Sequence, residues 1–143
     1  MLQPIPYLAF DGNCAEAMRF YAETLGGKLG LMTFRQSPFA DQCPPEHLDR
    51  VVHGRLELDG GVFLYAGDCP PNMPYQGMHG VSLALNYDSL GKAEEIFQAL
   101  AEGGKITMPF RDTFWAKKFG MVTDRFGSNW IVNGELLDLQ LQA

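Results

Sequence analysis

The sequence predicts an α+β fold built from two strand–helix–three-strand modules, and three observations carry that prediction. The first third of the chain is repeated in the last half. A strand, an apolar helix and a Gly-Gly-Lys ending appear as Pro4–Phe10, Asn13–Leu25 and Gly26-Gly27-Lys28, with strands running on to Ala66. They return as Val81–Tyr87, Ser89–Glu102 and Gly103-Gly104-Lys105, with strands running to Asn133. The second observation is register: at an offset of 77, Asp11, Phe20, Ala22, Gly26, Gly27 and Lys28 meet identical residues, six matches in the window 9–29. About one or two are expected from average composition. The third is that each copy carries one helix with a single apolar face ended by glycine: Ala17, Met18, Tyr21 and Leu25 before Gly26, and Ala93, Ile96, Phe97 and Leu100 before Gly103.

The elements follow in order. Asn13 is placed to cap the first helix, with Glu16 at capping-box spacing. Ala17, Met18, Tyr21 and Leu25 form its apolar stripe, and Gly26 ends it. Period-two alternation from Val52 to Asp59 puts Val52, Gly54, Leu56 and Leu58 on one face and His53, Arg55, Glu57 and Asp59 on the other. Asp59-Gly60-Gly61 reads as a hairpin turn, and Val62–Ala66 as a strand apolar on both faces. The second helix starts at Asp88 or Ser89, buries Ala93, Ile96, Phe97 and Leu100, and stops at Gly103. Asp124-Arg125-Phe126-Gly127 then turns the chain into the strand Asn129–Asn133. His53-Gly54 matches Phe119-Gly120 at an offset of 66, so the first copy carries 11 extra residues, in the connection around Ser37–Asp49. One apolar face per helix predicts that each lies across one side of a sheet.

Composition narrows the functional classes. The 143 residues, 46% of them hydrophobic, suit one domain spanning 1–143, with internal modules at about 4–67 and 80–135. No apolar run approaches the length of a membrane span, and the N-terminus lacks the basic and apolar regions of a leader, so a cytoplasmic protein without membrane association is expected. Cys14, Cys43 and Cys69 have no C-x-x-C spacing, which speaks against a disulfide framework or structural zinc and fits a reducing compartment. A net charge of −6 leaves no basic face for nucleic acid. Neither a G-x-G-x-x-G fingerprint, a phosphate loop nor a G-x-S-x-G elbow is present. Without a Gly-rich strand–helix turn, nothing in the residues supports a nucleotide or methyl-donor site.

Strand–helix–three strands, twice, resembles the βαβββ modules of the vicinal oxygen chelate superfamily, which includes glyoxalase I, extradiol dioxygenases and bleomycin-resistance proteins. The tail Phe114-Trp115, Phe119-Gly120, Asp124–Gly127 and Trp130–Asn133 resembles the PhnB-like branch. So does the opening Pro6–Phe10 followed by Gly12–Ala17. The resemblance covers nearly the whole chain. It implies glyoxalase-like curved mixed sheets around a cleft with helices on the outer faces, and a homodimer. Metal-dependent members hold one divalent ion by four His or Glu ligands on the first and last strands of each module. Aligned by the Phe20-Tyr21 motif and the turn Asp124–Gly127, those positions carry Pro6, Leu64, Gly80 and Ile131. A one-residue slip gives Tyr7, Tyr65, His79 or Val81, and Trp130 or Val132. An open Lewis-acid site takes about three protein ligands, so the resemblance implies a metal-free cleft and no cofactor.

The expected function is therefore small-molecule binding of the bleomycin-resistance kind. The alternative is a metal-dependent isomerase, lyase or dioxygenase-like enzyme of the same superfamily with a displaced ligand set. His53 and Glu57 lie about 13 Å apart along one strand, too far to share an ion without a bulge. Arg55 is suited to grip a carboxylate or phosphonate, and His53 to act as a base near neutral pH. Trp115 and Phe114 are candidates to wall a pocket, and Asn133 presents an amide beside Ile131. Together with Phe10, Phe34 and Leu64, these side chains make up the candidate ligand-binding set.

Overall fold

The computed structural model describes residues 2–143. By compactness the chain divides into two units, one ending at Met78 and the other beginning at His79. The first contains strand β1 (Tyr7–Phe10), helix α1 (Cys14–Leu25) and strands β2 (Lys28–Thr33), β3 (Val51–Leu58) and β4 (Val62–Asp68). The second contains β5 (Leu83–Tyr87), α2 (Leu90–Ala101), β6 (Lys105–Arg111), β7 (Ala116–Thr123) and β8 (Asn129–Leu136). Each unit forms a four-stranded mixed sheet with the same order, β1-β4-β3-β2 and β5-β8-β7-β6. The first and last strands of each unit pair in parallel and the remaining pairs are antiparallel. The expected α+β architecture is the observed one.

In the first unit α1 lies across one face of its sheet. Cys14, Ala17, Met18 and Tyr21 of the helix are buried against Phe10, Leu56, Leu64 and Ala66 of the strands. In the second, Ala93, Ile96, Phe97 and Leu100 meet Val122, Trp130 and Val132. Large apolar side chains removed from water contribute roughly 1.5–3 kcal/mol each, and these two layers supply the core of each unit. Close approach of helix to sheet needs glycine at Gly120: a Cβ there would run into the Phe97 ring. The Asp59-Gly60-Gly61 turn joins β3 to β4 as expected, with Gly60 and Gly61 at φ 79° and 74°.

Two expectations are corrected. Asn13 makes no side-chain capping bond, because its backbone (φ −110°, ψ 20°) is not the extended conformation that swings a cap side chain over the helix amides. The buried Asp68 carboxylate at the end of β4 takes that role. Its Oδ1 accepts from the Gly12 and Cys14 amides at 2.8 and 3.1 Å, and its Oδ2 from the Val51 amide at 2.8 Å. One carboxylate thus ties the start of α1, the start of β3 and the end of β4. The second unit caps α2 locally, with Ser89 Oγ accepting from the Lys92 amide at 3.2 Å. The other correction is at Val52. A register shift opposite Met32/Thr33 makes Val52 the extra residue of a bulge, so Val51, not Val52, turns into the core.

The long β2–β3 connection contains two short 3₁₀ turns, Ala40–Gln42 and Pro45–His47. Its start is pinned by Ser37 Oγ, which donates to the Phe34 carbonyl at 2.7 Å and accepts from the Phe39 amide at 3.1 Å. In the second unit Asp124 organises the β7–β8 turn. Its Oδ1 accepts from the Phe126 and Ser128 amides at 2.9 and 3.0 Å, and its Oδ2 from Trp130 Nε1 at 2.8 Å.

Removing a carboxylate that satisfies three backbone amides leaves buried donors unpaired. Asp68→Ala should therefore lower stability by about 2–4 kcal/mol in urea unfolding. Asp49→Ala, which breaks only the exposed 3.1 Å pair with Arg35, should stay within about 0.5 kcal/mol. A loss at Asp68 no larger than at Asp49 would remove it as a structural tie. Burial, with Asp68 nearby, pushes the Cys14 thiol up to about 12. A disulfide reagent at neutral pH should accordingly modify the half-buried Cys43 and Cys69 readily and Cys14 only after denaturation.

Candidate functional site

The face of each sheet away from its helix is where side chains remain available. In the first unit β1 and β4 pair as Tyr7↔Tyr65, and β3 and β4 as Arg55↔Tyr65. Because side chains alternate along a strand, Tyr7, Tyr65, Phe63, His53, Arg55 and Glu57 all emerge opposite α1. Their rings form one patch. His53 lies 5.1 Å from Tyr65 and 5.8 Å from Tyr7, while Phe63 and Tyr7 are 6.1 and 6.4 Å from Tyr65. Tyr7 Oη is 3.4 Å from both His53 Nδ1 and the Val52 carbonyl. Partial burial raises the Tyr7 hydroxyl above its ordinary value, keeping it protonated. Gly67 makes the room: a Cβ there would come within 2.9 Å of the Tyr7 hydroxyl. Arg55 rests its guanidinium 5.8 Å from the Phe63 centroid.

The second unit repeats the geometry with different side chains. Pairings Ala84↔Ile131, Asn86↔Asn133 and Phe119↔Asn133 put these residues on the face opposite α2. Asn133 sits at the centre, accepting from Trp115 Nε1 at 3.0 Å and donating from its Nδ2 to Asn86 Oδ1 at 2.9 Å. Trp115 packs 4.4 Å from Phe119 and 5.0 Å from Phe114. Beyond Asn133 on the same strand, Glu135 pairs with Lys117 at 3.0 Å.

The candidate set divides accordingly. His53 and Arg55 come together on the first open face, and Ile131, Asn133, Trp115 and Phe114 come together on the second. Phe114 is 75% exposed at its edge. Phe10 and Leu64 do not belong with them. They are 0% and 4% exposed and lie on the opposite, helix-covered side, one residue out of phase with Tyr65. Phe34 is buried beyond the end of β2, where its amide donates to the Arg50 carbonyl at 3.0 Å. The side chains absent from the candidate set are Tyr7, Tyr65, Phe119 and Asn86. The antiparallel β7–β8 register identifies Phe119, and the parallel register of first and last strands identifies Tyr7, Tyr65 and Asn86.

That register also tests the ion implied by the fold. The positions Pro6, Leu64, Gly80 and Ile131 do not share a face: Pro6 and Gly80 precede their strands and Leu64 turns toward α1. The first open-face pair of the parallel ladder is Tyr7 and Tyr65 in one unit and Ala84 and Ile131 in the other, followed there by the amides Asn86 and Asn133. Two phenols, a methyl and a butyl group are not a divalent-ion donor set. The β3 bulge at Val52 lies outside the His53–Glu57 interval and cannot bring those two together. Among the described residues no group of three or more His, Cys, Asp or Glu is placed to hold a metal. The residues do not fit the ion.

Two βαβββ modules, each with one helix-covered face and one open face, define a glyoxalase-like protein of the vicinal oxygen chelate superfamily. Within it the chain belongs to the PhnB-like family, whose model is described as 3-demethylubiquinone-9 3-methyltransferase and matches residues 3–133. Protein YjdN of Escherichia coli (strain K12) is 32% identical over 139 residues, covering 90% of this chain and 92% of its own. The crystal structure of protein PA1353 from Pseudomonas aeruginosa is 48% identical, covers 94% of this chain and 98% of its own, and superposes with a TM-score of 0.86. The glyoxylase/bleomycin resistance protein/dioxygenase domain of Frankia sp. EAN1pec shares the fold at 14% identity and a TM-score of 0.61, over 94% of this chain and 93% of its own.

The Trp115–Asn133–Asn86 chain is open to direct test, since the protein has two tryptophans and Trp130 is held in the core by Asp124. Asn133→Leu should shift the Trp115 emission, isolated by difference against Trp115→Phe, and cost about 1–2 kcal/mol of stability. An unchanged emission and unchanged stability would show that the amide does not hold the indole in solution.

Proposed function

We propose that this protein is a small-molecule binder of the bleomycin-resistance type that works without the superfamily's divalent ion. One observation carries the reading. The ligand positions that the superfamily resemblance implies carry Pro6, Leu64, Gly80 and Ile131, and the first open-face pairs of the two parallel ladders are Tyr7–Tyr65 and Ala84–Ile131, within faces furnished with aromatic rings and a few fixed polar groups. Such surfaces bind organic ligands through apolar contact and use the polar groups for orientation. The Asn133 amide is held from both sides, so little rotamer freedom is lost when a ligand arrives. In this reading the protein is a cytoplasmic homodimer that neither binds nucleic acid nor associates with membranes.

The methyltransferase wording of the family description finds no support in the residues around the first strand–helix turn. The Gly12 and Cys14 amides there are already taken by Asp68, so they offer nothing to a phosphate or a cofactor. A second reading rests on the 3.4 Å approach of His53 Nδ1 to Tyr7 Oη: an isomerase or lyase with His53 as base. A thermal-shift screen of metabolite-like compounds, run with and without added nickel, zinc or manganese, separates the possibilities. The binder predicts stabilisation by ligand alone. Stabilisation only when metal is added would overturn it in favour of a displaced metal site, and turnover of a stabilising ligand that His53→Ala abolishes would favour the second reading. Light scattering at micromolar concentration should give twice the 15.9 kDa of one chain.

A further inference from the structure

We infer that the open face of the first module is a site for a planar aromatic carboxylate, an inference that rests on the ligand-binding reading above and names its ligand class. Tyr65 stands at the centre of a ring patch, with Tyr7 and His53 meeting it edge to face at interplanar angles of 81° and 72°. Aromatic pairs favour offset and edge-to-face geometry over a face-to-face sandwich, and a further flat ring extends such a patch without displacing its members. The row that crosses the sheet through Tyr7, Tyr65 and Arg55 ends at Gly30, where a Cβ would meet nothing within 4 Å. Large rings at one end and open space at the other leave a shallow seat beside Arg55.

Charge then selects the ligand. Arg55 is exposed and has no carboxylate partner among the described residues, although acids outnumber bases to give this chain a net charge of −6. The acid closest along its own strand face, Glu57, sits across from Lys28 in the β2–β3 register. The Phe63 ring supports the Arg55 guanidinium from one side, which fixes its position while leaving its N–H fork for a carboxylate. Tyr7 Oη and His53 Nδ1, beside the Tyr65 ring, supply polar atoms for a ring substituent. A flat ring on Tyr65 with its carboxylate at Arg55 uses every member of the cluster.

Benzoate is the probe, titrated calorimetrically into the full-length protein alongside benzamide and cyclohexanecarboxylate. Benzoate should bind with one site per chain. Benzamide, which lacks the charge, and cyclohexanecarboxylate, which lacks the flat ring, should each bind at least about ten-fold more weakly. Arg55→Ala and Arg55→Lys should each weaken benzoate by about ten-fold or more with unchanged unfolding temperature, because Arg55 is solvent-exposed. Arg35→Ala, which removes an equal charge from the exposed pair with Asp49, should leave benzoate affinity as it was. Benzoate binding that ignores Arg55, or that Arg35→Ala weakens equally, would overturn the inference. Failure of benzoate while other ligands stabilise the protein through Trp115 and Asn133 would overturn it and leave the general binding reading standing. Failure of every small molecule would overturn both.

Discussion

The parallel pairing of first and last strands within each module fixes everything that follows. Side chains alternate along a strand, so a register of Tyr7 with Tyr65, or of Ala84 with Ile131, decides at once which residues the helix covers and which remain open. A one-residue slip of β4 would bring Leu64 to the open face and bury Tyr65 in the core. The hydrophobic layer under α1 forbids that slip, since Phe10, Leu56, Leu64 and Ala66 are all needed beneath Met18 and Tyr21. The composition of the open face is in this sense a by-product of core packing.

Buried carboxylates hold that register at its ends. Asp68 ties the end of β4 to the starts of α1 and β3, and Asp124 folds the β7–β8 turn around itself and the Trp130 indole. Both are short, charge-assisted networks in which each carboxylate oxygen has a backbone or indole donor, the condition under which a buried charge can be retained. They occupy different places in the two modules. The first uses its carboxylate to cap a helix from a distant strand. The second caps α2 with Ser89 and uses its carboxylate for a turn. A duplicated framework has thus been fastened in two ways.

The fold was legible because its signals are local and repeated. The apolar stripe of α2, the Gly-rich hairpin and the matched Gly-Gly-Lys endings each point to one element, and together they point to one architecture. The cap and the bulge were not legible. Asp68 is remote in sequence from the amides it holds, and the bulge at Val52 interrupts an alternation that reads as continuous through His53. The candidate site was half legible. His53, Arg55, Trp115 and Asn133 follow from residue type and alternation, whereas Phe10 and Leu64 were placed by a pattern one residue out of phase. Tyr7 and Tyr65, open to sequence reading only as one-residue-slip alternatives at the ligand positions, are fixed on the open face once β1 is set against β4, a long-range pairing that local sequence does not encode.

The departure of these open faces from the superfamily's ligand pattern is the point on which the functional reading turns. Tyr7, Tyr65, Ala84 and Ile131 offer no strong donor for a divalent ion, while rings, an arginine and a fixed amide offer contacts for an organic ligand. Calorimetric titration of the metal-stripped protein with nickel, zinc and manganese tests this directly. The donor set predicts no stoichiometric binding at micromolar protein. Sub-micromolar binding of one ion per chain would contradict it and return the protein to the metal-dependent side of its superfamily.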